Sequence, residues 1–372
     1  MSTTKRQPKP TPSRNTRIND AVAASPAIAA AFCHRMLPRV SRTFALNIPQ
    51  LPAPLDVVVT VAYLLCRIAD TVEDESSANA SERAHQLAKL AHVARLKGDW
   101  RADANQLSQR IAGSLREQTP EAERDLALGL THVLECYAQQ PSWSHGHVSK
   151  CIDAMTGGMA ELSASRGNPE GFRNLDETML YCHYVAGTVG EMLTALFVGY
   201  SPEVATQGAF LKAHAGAFGR ALQLTNILQD VYADFERGSC WLPKTTMARH
   251  GLTPAELVDP AHRDRALEMM GDMIAVAHRE ALLALDYTLA IPTSEPGIRT
   301  FCLWPLFNAV LTLRALQDNA HAFSPKRVKI KRSVVLLVMK VTSALATHDR
   351  GLRLAFNGAT VGLRREVPDA ND

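Results

Sequence analysis

Long apolar stretches are missing from this sequence. No run of about 18 or more apolar residues, the length needed to cross a bilayer, occurs in it. The best candidate, residues 334–346, is short and contains Lys340. No N-terminal apolar segment resembles a secretory signal. The sequence therefore predicts neither a membrane-spanning helix nor a cleaved secretory signal.

Paired cysteines and a strong net charge are also missing. The seven cysteines are scattered and odd in number, and no two form a CxxC pair. This pattern is typical of reduced, mostly buried thiols in a cytosolic protein. The formal net charge of +3 is nearly neutral for 372 residues and argues against broad nucleic-acid binding. We therefore expect a cytoplasmic protein with no nucleic-acid partner.

Sequence signals of several common enzyme classes are absent as well. No GxGxxG follows a strand-like segment, and neither a Walker loop nor a GxSxG elbow is present. Ala-, Leu- and Met-rich stretches follow helical periodicity, whereas β-branched runs are few. The pattern predicts an all-α fold, with helices at about residues 26–38, 55–74, 79–96, 102–115, 121–138, 146–165, 176–199, 203–236, 262–289, 296–318 and 330–346.

Composition does not divide the chain further, so we expect one helical domain at residues 26–346. The first 17 residues hold five Lys/Arg and no acids, which predicts a disordered basic tail at residues 1–25. An organelle transit peptide is the alternative, which the prolines in this stretch oppose. Residues 347–372 are predicted to form a polar C-terminal tail.

One predicted helix carries a polar face at residues 63–74. Tyr63, Arg67, Asp70 and Asp74 follow one another at intervals of four, three and four residues, so they share one side of the helix. The other faces are mostly apolar, and Glu73 lies next to Asp74 in the sequence. A solvated surface stripe, in which Arg67 pairs with Asp70 or Asp74, is one interpretation.

A second predicted helix repeats the arrangement. Gln223, Asn226, Asp230 and Asp234 follow at intervals of three, four and four residues on one face. Because carboxylates are rarely buried without a partner, two such faces in apolar helices suggest a cation between them. Mg²⁺ prefers carboxylate oxygens and binds together with substrate phosphates. If the two faces meet, we expect a metal-diphosphate cleft.

These segments resemble the squalene synthases of the squalene/phytoene synthase family over residues 30–345, most of the chain. The resembling segments are Ser41-Arg42-Thr43-Phe44, residues 63–74, residues 181–187, residues 225–234, and Phe301 with Pro305. Any one DxxxD segment is weak evidence, but the set together is specific.

The resemblance implies a single-domain isoprenoid-synthase helical bundle with a deep central cavity. It also implies two half-reactions: two farnesyl diphosphates join head to head into presqualene diphosphate, which is then reduced by NADPH to squalene. A non-reducing member that makes phytoene, dehydrosqualene or only presqualene diphosphate is the alternative. A non-catalytic helical protein that keeps the fold is a third possibility, against which the intact aspartates argue.

The resemblance also assigns roles to residues. Mg²⁺ would be held by Asp70, Glu73, Asp74, Asn226, Asp230 and Asp234. Substrate would be bound by Ser41, Arg42, Arg67 and Gln223, since a planar guanidinium suits diphosphate oxygens. The catalytic candidates are Tyr63, Arg67, Tyr181 and Phe301. Tyr181 would stabilise the first carbocation and assist proton loss, and the ring of Phe301 would stabilise a carbocation. Plain core packing is the alternative for Tyr181 and Phe301.

A basic run distinguishes members of the family. Residues 326–332 hold five basic residues in seven positions, which by composition indicates a solvated loop or an anionic-lipid contact. This run is similar to the squalene-synthase segment linked with NADPH phosphates. The resemblance therefore predicts NADPH binding by Lys329, Lys331 and Arg332, with Asn226 from the cleft. Lys331 stands where arginine is typical and keeps the charge without the planar fork.

The expected partners follow from the implied reaction. They are two molecules of farnesyl diphosphate and, because squalene is a hydrocarbon, a membrane surface contacted peripherally. We expect a monomer in the cytoplasm, at the inner face of the membrane.

Overall fold

A computed structural model of the protein describes residues 25–162 and 169–366. Within these ranges the chain forms helices and no strand, and its two extended pairings, Ser76 with Leu115 and Phe172 with Pro243, are isolated bridges. The predicted all-α fold is confirmed. The basic tail predicted at residues 1–25 lies outside the described residues except for Ser25, which caps the first helix.

The helices in the described ranges are numbered here in chain order. They are α1 (Pro26–Val40), α2 (Arg42–Asn47), α3 (Leu55–Glu75), α4 (Ala80–Val93), α5 (Trp100–Ser114), α6 (Glu121–Leu128), α7 (Leu130–Ala138), α8 (Ser142–Leu162), α9 (Leu175–Cys182), α10 (Thr188–Tyr200), α11 (Pro202–Ala205), α12 (Gly208–Glu236), α13 (Lys244–Arg249), α14 (Pro254–Val258), α15 (Arg263–Ala290), α16 (Pro296–Leu316), α17 (Arg332–Ala344) and α18 (Asp349–Ala359). None of these helices is both long and apolar enough to cross a membrane.

Several helices differ from the sequence-based prediction. The helix predicted at 121–138 is broken at Gly129, where the ring of Phe32 takes the space that a side chain would fill; a Cβ there would lie 1.9 Å from the ring. The helix predicted at 176–199 is interrupted by a π-helical turn at His183–Gly187. Helices α2, α13 and α14 were not predicted, because five or six residues are too few to show a helical period.

The polar tail predicted at residues 347–372 is wrong for the stretch that forms α18. Leu352 and Phe356, four residues apart, are buried there, and the ring of Phe356 packs edge-on against Phe307 with centroids 5.9 Å apart. The buried Arg299 of α16 pairs with Asp349 in the first turn of α18. The two buried apolar residues were not recognised in the sequence, because the outer face of this short amphipathic helix is polar. Residues 367–372 lie outside the described residues.

The core consists of two buried apolar clusters, and partly buried side chains such as Val185 and Phe218 pack against both. Helices α12 and α15, which are 29 and 28 residues long, pack along each other, and α12 also contacts α10 and α16. In α3, 13 of the 21 residues are buried. This packing holds both helices that carry the acidic segments.

Candidate active site

The two acidic segments end at one cleft. Helix α3 brings Glu73 and Asp74 to its wall, α12 brings Asp234, and Trp241 comes from the loop after α12. The other lining residues carry hydroxyl or guanidinium groups: Ser76, Arg83, Arg116, Arg237 and Ser239. The cleft has a volume of about 230 Å³. The structure thus brings the C-terminal residues of the two acidic segments together.

Both acidic segments lie at the C-terminal ends of their helices, where negative charge is unfavourable. Helix α3 ends at Glu75 and α12 ends at Glu236, and neither has a basic residue in its last turn. The free carbonyl groups of a helix C-terminus carry a partial negative charge. Because the carboxylates of Asp74 and Asp234 add to this charge, the two helix ends favour a bound cation.

Asp234 shows the effect of this environment. Its side chain is only 10% exposed and pairs with Arg237, which directly follows α12. Burial raises the pKa of the Asp234 carboxyl to about 6; Arg237 opposes the rise, and Asp230 and Asp74 add to it. A further positive group beside Asp234, such as a metal ion, would therefore stabilise the charged form of this carboxyl.

Asp230 lies one turn before Asp234 and contacts the basic run. Arg327 places Nε 2.8 Å from Oδ1 of Asp230 and donates from Nη2 to Oδ2 at 2.8 Å, a two-pronged ion pair. Gln229 accepts a hydrogen bond from the same guanidinium at 3.1 Å and donates one to the carbonyl of Val328 at 2.7 Å. Burial raises the pKa of Asp230, and Arg327 opposes the rise. Residues 327–328 are thus fastened to α12.

The remaining predicted ligands lie on the same helix faces, outside the lining of this cleft. Asp70 comes one turn before Asp74, and its Oδ2 is 3.9 Å from Nη1 of Arg67. Asn226 is exposed and Gln223 half-buried on α12, one and two turns before Asp230. On each acidic face, therefore, the residues nearest the C-terminal end of the helix line the cleft, and the earlier residues lie further back along the helix.

The donor atoms at the cleft suit Mg²⁺ ions that arrive with a substrate. Glu73, Asp74 and Asp234 offer hard carboxylate oxygens beside one cavity. Among residues 25–162 and 169–366, no three acidic, histidine or cysteine side chains converge into a ready-made metal site. Mg²⁺ is usually bound by one or two carboxylates together with substrate phosphates and water. The residues present fit that mode of binding.

Arg67, a predicted substrate and catalytic residue, is held by Glu123 of α6. Nε and Nη2 of Arg67 donate to Oε1 of Glu123 at 2.9 and 2.6 Å, and the Thr71 hydroxyl donates to Oε2 at 2.8 Å. Burial alone would lower the pKa of the Arg67 guanidinium, but Glu123 and Asp70 raise it above its ordinary value. The guanidinium is therefore fixed in direction and permanently charged.

Replacing Glu123 with alanine is expected to lower the free energy of unfolding by about 2–3 kcal/mol, because the half-buried Arg67 loses its hydrogen-bonding partner. Urea unfolding followed by circular dichroism measures this loss. The control Asp153→Ala removes the exposed partner of Arg95 and is expected to cost about 1 kcal/mol or less. Equal losses in the two variants would contradict the structural role of Glu123.

Ser41 and Tyr63 meet at the N-terminal side of the polar face of α3. The Ser41 oxygen accepts a hydrogen bond from the Phe44 N–H at 3.1 Å and caps α2, and the same side chain influences the Tyr63 hydroxyl. Burial raises the pKa of the Tyr63 phenol, whereas Ser41 and Arg67 lower it. Arg42 is exposed in the first turn of α2. Ser41, Tyr63 and Arg67 thus form a polar row leading toward the acidic residues of α3.

Tyr181 lies behind the cleft wall, in an aromatic cluster. Its ring stacks on Trp241 with centroids 4.7 Å apart and planes within 4° of parallel, and Trp241 lines the cleft. Phe172 packs against Tyr181 at 5.5 Å. The π-helical turn at His183–Gly187 begins two residues later, and such turns are frequent at functional sites. The stacked rings give the cleft an electron-rich wall that suits a cation.

Phe301 belongs to the other apolar cluster. Its ring is 4% exposed and packs edge-on against Phe197 with centroids 6.1 Å apart. Its carbonyl accepts a hydrogen bond from Nδ2 of Asn47 at 2.9 Å. These are the contacts of a core residue, and a role of Phe301 beside a carbocation stays a prediction.

The predicted cofactor residues of the basic run are exposed beside α12. Lys329, Lys331 and Arg332 lie at the surface, whereas Val328 is buried between Arg327 and Lys329. The hydrogen bond from Gln229 and the ion pair of Arg327 hold this stretch next to the second acidic helix. The run therefore presents cationic side chains near the helix that carries Asn226.

Several residues at the cleft were not predicted from the sequence. They are Ser76, Arg83, Arg116, Arg237, Ser239 and Trp241. Arg237 follows Asp234 by three residues, a spacing at which helical side chains meet, so this pair could have been found. Arg83 lies on α4, Arg116 follows α5, and the loop after α12 carries Trp241. Only the tertiary packing brings these three to one cavity, and no local pattern marks them.

The fold and the cleft define an all-α protein with an acidic and arginine-lined site. Comparison with known families then identifies it: the squalene/phytoene synthase family model matches residues 37–334, and the chain belongs to that family.

Individual relatives agree with this assignment. Squalene synthase BSS of Botryococcus braunii is 29% identical over 315 residues, covering 83% of this chain and 63% of the relative. Squalene synthase of Schizosaccharomyces pombe is 28% identical over 310 residues, covering 82% and 64%. The chain thus spans less than two thirds of the length of these relatives. A solved structure of TcSQS with the ligand BPH1237 has a TM-score of 0.77 and 25% identity, covering 92% of this chain and 93% of that one.

Proposed function

We propose that this protein is a squalene synthase. It joins two farnesyl diphosphates head to head into presqualene diphosphate and then converts this intermediate to squalene with NADPH. The observation that carries the proposal is the convergence of Asp74 and Asp234, from α3 and α12, on one cleft lined by Arg83, Arg116 and Arg237. Membership of the squalene/phytoene synthase family and the names of the relatives support it.

The charges of the cleft suit a diphosphate leaving group. Glu73, Asp74 and Asp234 would hold Mg²⁺, with Asp70, Asn226 and Asp230 on the same helix faces as further ligands. Mg²⁺, when bound, would act as a Lewis acid that neutralises the departing diphosphate. Because carboxylates alone repel a diphosphate, the guanidinium groups of Arg83 and Arg116 would bind its oxygens directly. Arg67 would do so from the polar row of α3, and Arg42 from the first turn of α2.

The surroundings of the cleft suit the carbocation left behind. The rings of Tyr181 and Trp241 stack on each other, and Trp241 lines the cleft, where the rings would stabilise a cation and help to exclude water. The Tyr181 hydroxyl would assist proton loss after the first condensation, and the ring of Phe301 would stabilise charge further along the reaction. The farnesyl chains need more room than about 230 Å³, since pockets that enclose drug-sized ligands measure about 300–1,000 Å³. We therefore propose that side chains around the cleft move when substrate binds.

NADPH would be bound by the basic run. Lys329, Lys331 and Arg332 are exposed cations that suit phosphate groups, and the contacts of Arg327 and Gln229 hold the run beside α12. Asn226, exposed on α12, would contact the cofactor from the cleft side. NADPH, when bound, supplies the hydride of the second half-reaction. We also propose a cytoplasmic monomer that contacts the inner face of a membrane peripherally.

The test is product analysis. Incubation of the purified protein with farnesyl diphosphate, Mg²⁺ and NADPH is expected to yield squalene, identified by mass spectrometry. Without NADPH, presqualene diphosphate or a non-reduced hydrocarbon is expected instead. If presqualene diphosphate accumulates equally with and without NADPH, the reductive assignment is wrong and the protein is a non-reducing head-to-head prenyl synthase. If farnesyl diphosphate is not consumed at all, the protein is not a prenyl synthase.

A further inference from the structure

Helix α17 leaves an unusual number of apolar side chains uncovered. Eight of its 13 residues are Val, Leu, Met or Ala, yet Thr342 is its only buried residue. Leu336, Leu337 and Val341 are 47%, 60% and 40% exposed. Leu337 and Val341, four residues apart, share one face of the helix, and Leu336 lies on the face next to it. Exposed apolar residues that lie together in this way mark an interaction surface, whereas single exposed apolar residues carry no such meaning.

The charged side chains of α17 and of the segment that precedes it all have one sign. Residues 319–348 contain no Asp or Glu but six Lys/Arg, at positions 326, 327, 329, 331, 332 and 340. Lys340 and Arg332 are exposed on the face of α17 that carries Leu336. Only Arg327 of the six pairs with an acid, Asp230, in the part of the chain that the structure describes. The surface therefore combines uncovered leucines with a local positive charge.

We infer that the exposed side of α17, which carries Leu336, Leu337, Val341, Arg332 and Lys340, docks on the surface of an anionic lipid bilayer. An amphipathic helix with leucines, Arg332 and Lys340 on its exposed side is suited to the lipid interface, where the leucines enter the acyl boundary and the stems of the two cations reach up to the headgroups. A second copy of the chain would bring like charges together across the same face, which is unfavourable. An anionic bilayer is complementary in both charge and hydrophobicity.

The biological reason for this contact rests on the proposed function, since a hydrocarbon product must leave to a lipid phase. Docking itself needs no substrate and can be measured without turnover. Full-length protein is mixed with vesicles of phosphatidylcholine alone or of equimolar phosphatidylcholine and phosphatidylglycerol and is then sedimented. The protein is expected to sediment with the anionic vesicles and to be released from them at high salt.

Two variants separate the apolar and the charged contributions. Leu336→Gln/Leu337→Gln is expected to weaken binding to the anionic vesicles about tenfold or more, because two partly exposed leucines no longer enter the bilayer. Lys340→Gln is expected to weaken it about fivefold. The control Leu128→Gln/Leu282→Gln changes two leucines that are 42% and 41% exposed on α6 and α15, and it is expected to bind like the wild type.

Three results would overturn the inference. One is a wild-type protein that binds neither kind of vesicle; another is a Leu336→Gln/Leu337→Gln variant that binds as tightly as the control. The third is that the wild type is dimeric by light scattering, the leucine variant is monomeric, and neither binds vesicles, which would make this side of α17 a protein interface. Circular dichroism establishes that each variant is folded. Squalene formation in detergent is expected to persist in the leucine variant, so a failure of docking is distinguishable from a failure of the proposed function.

Discussion

Replacement of Asp234 with asparagine is expected to lower the turnover of farnesyl diphosphate by about 10²-fold or more, the usual loss when a central electrostatic group is removed. The carboxylate lies at the C-terminal end of α12, is largely buried, and lines the same cleft as Asp74. The amide has nearly the same shape but no negative charge, so it cannot neutralise a metal ion. Steady-state kinetics with excess Mg²⁺ measure the effect.

A second measurement separates this role from folding. Calorimetric titration of Mg²⁺ with inorganic diphosphate into the folded Asp234→Asn protein is expected to show binding weakened at least tenfold, the scale of one lost charged contact. The control Asp153→Asn changes an exposed aspartate that pairs with Arg95 on the outer surface, and both turnover and binding are expected to be unchanged. Near-normal turnover of Asp234→Asn would contradict the metal role of the second acidic segment.

The helical periodicity made the acidic residues of this cleft predictable, which are three of its nine lining residues. Residues spaced by three and four positions share a helix face whatever the tertiary structure, so the polar faces of α3 and α12 could be recognised from the sequence alone. The burial of 13 residues of α3 agrees with the apolar pattern around its acidic face. That Asp74 and Asp234 meet depends on the packing of two helices distant in the sequence; the rarity of unpaired carboxylates in apolar helices suggested it, and the family resemblance implied it.

The parts that were not predicted depend on contacts between distant segments. Arg67 is separated by 56 positions from Glu123, which outcompetes the nearby Asp70 because it lies closer and is itself buried. Arg116 and Trp241 lie in loops after α5 and α12, where no helical periodicity predicts which way a side chain points. Helix α18 has only two buried apolar residues, so a sequence window that is polar on average concealed it. Each of these features is fixed by packing partners that the local sequence does not contain.

The second large effect is expected on the reductive half of the proposed reaction, when Lys329 is replaced. Lys329→Ala is expected to raise the KM for NADPH about 10- to 100-fold, because one charged hydrogen bond to a phosphate contributes about 1.5–3 kcal/mol. Formation of presqualene diphosphate without NADPH is expected to stay close to the wild-type rate, since Lys329 is exposed on the basic run and does not line the acidic cleft. Separate assays of the two half-reactions measure both values.

The matched control lies in the same run. Lys326 is also exposed and equally charged, but it stands before the Arg327 and Val328 contacts that hold the run to α12. If the run attracts NADPH only through its overall charge, Lys326→Ala and Lys329→Ala will raise the KM equally. If particular side chains bind the phosphate, as we expect, Lys326→Ala changes it little, and Lys331→Arg, which restores a planar fork, lowers it. An equal loss in both half-reactions for Lys329→Ala would remove the cofactor role of the run, because a residue that binds only NADPH cannot slow a condensation that does not use it.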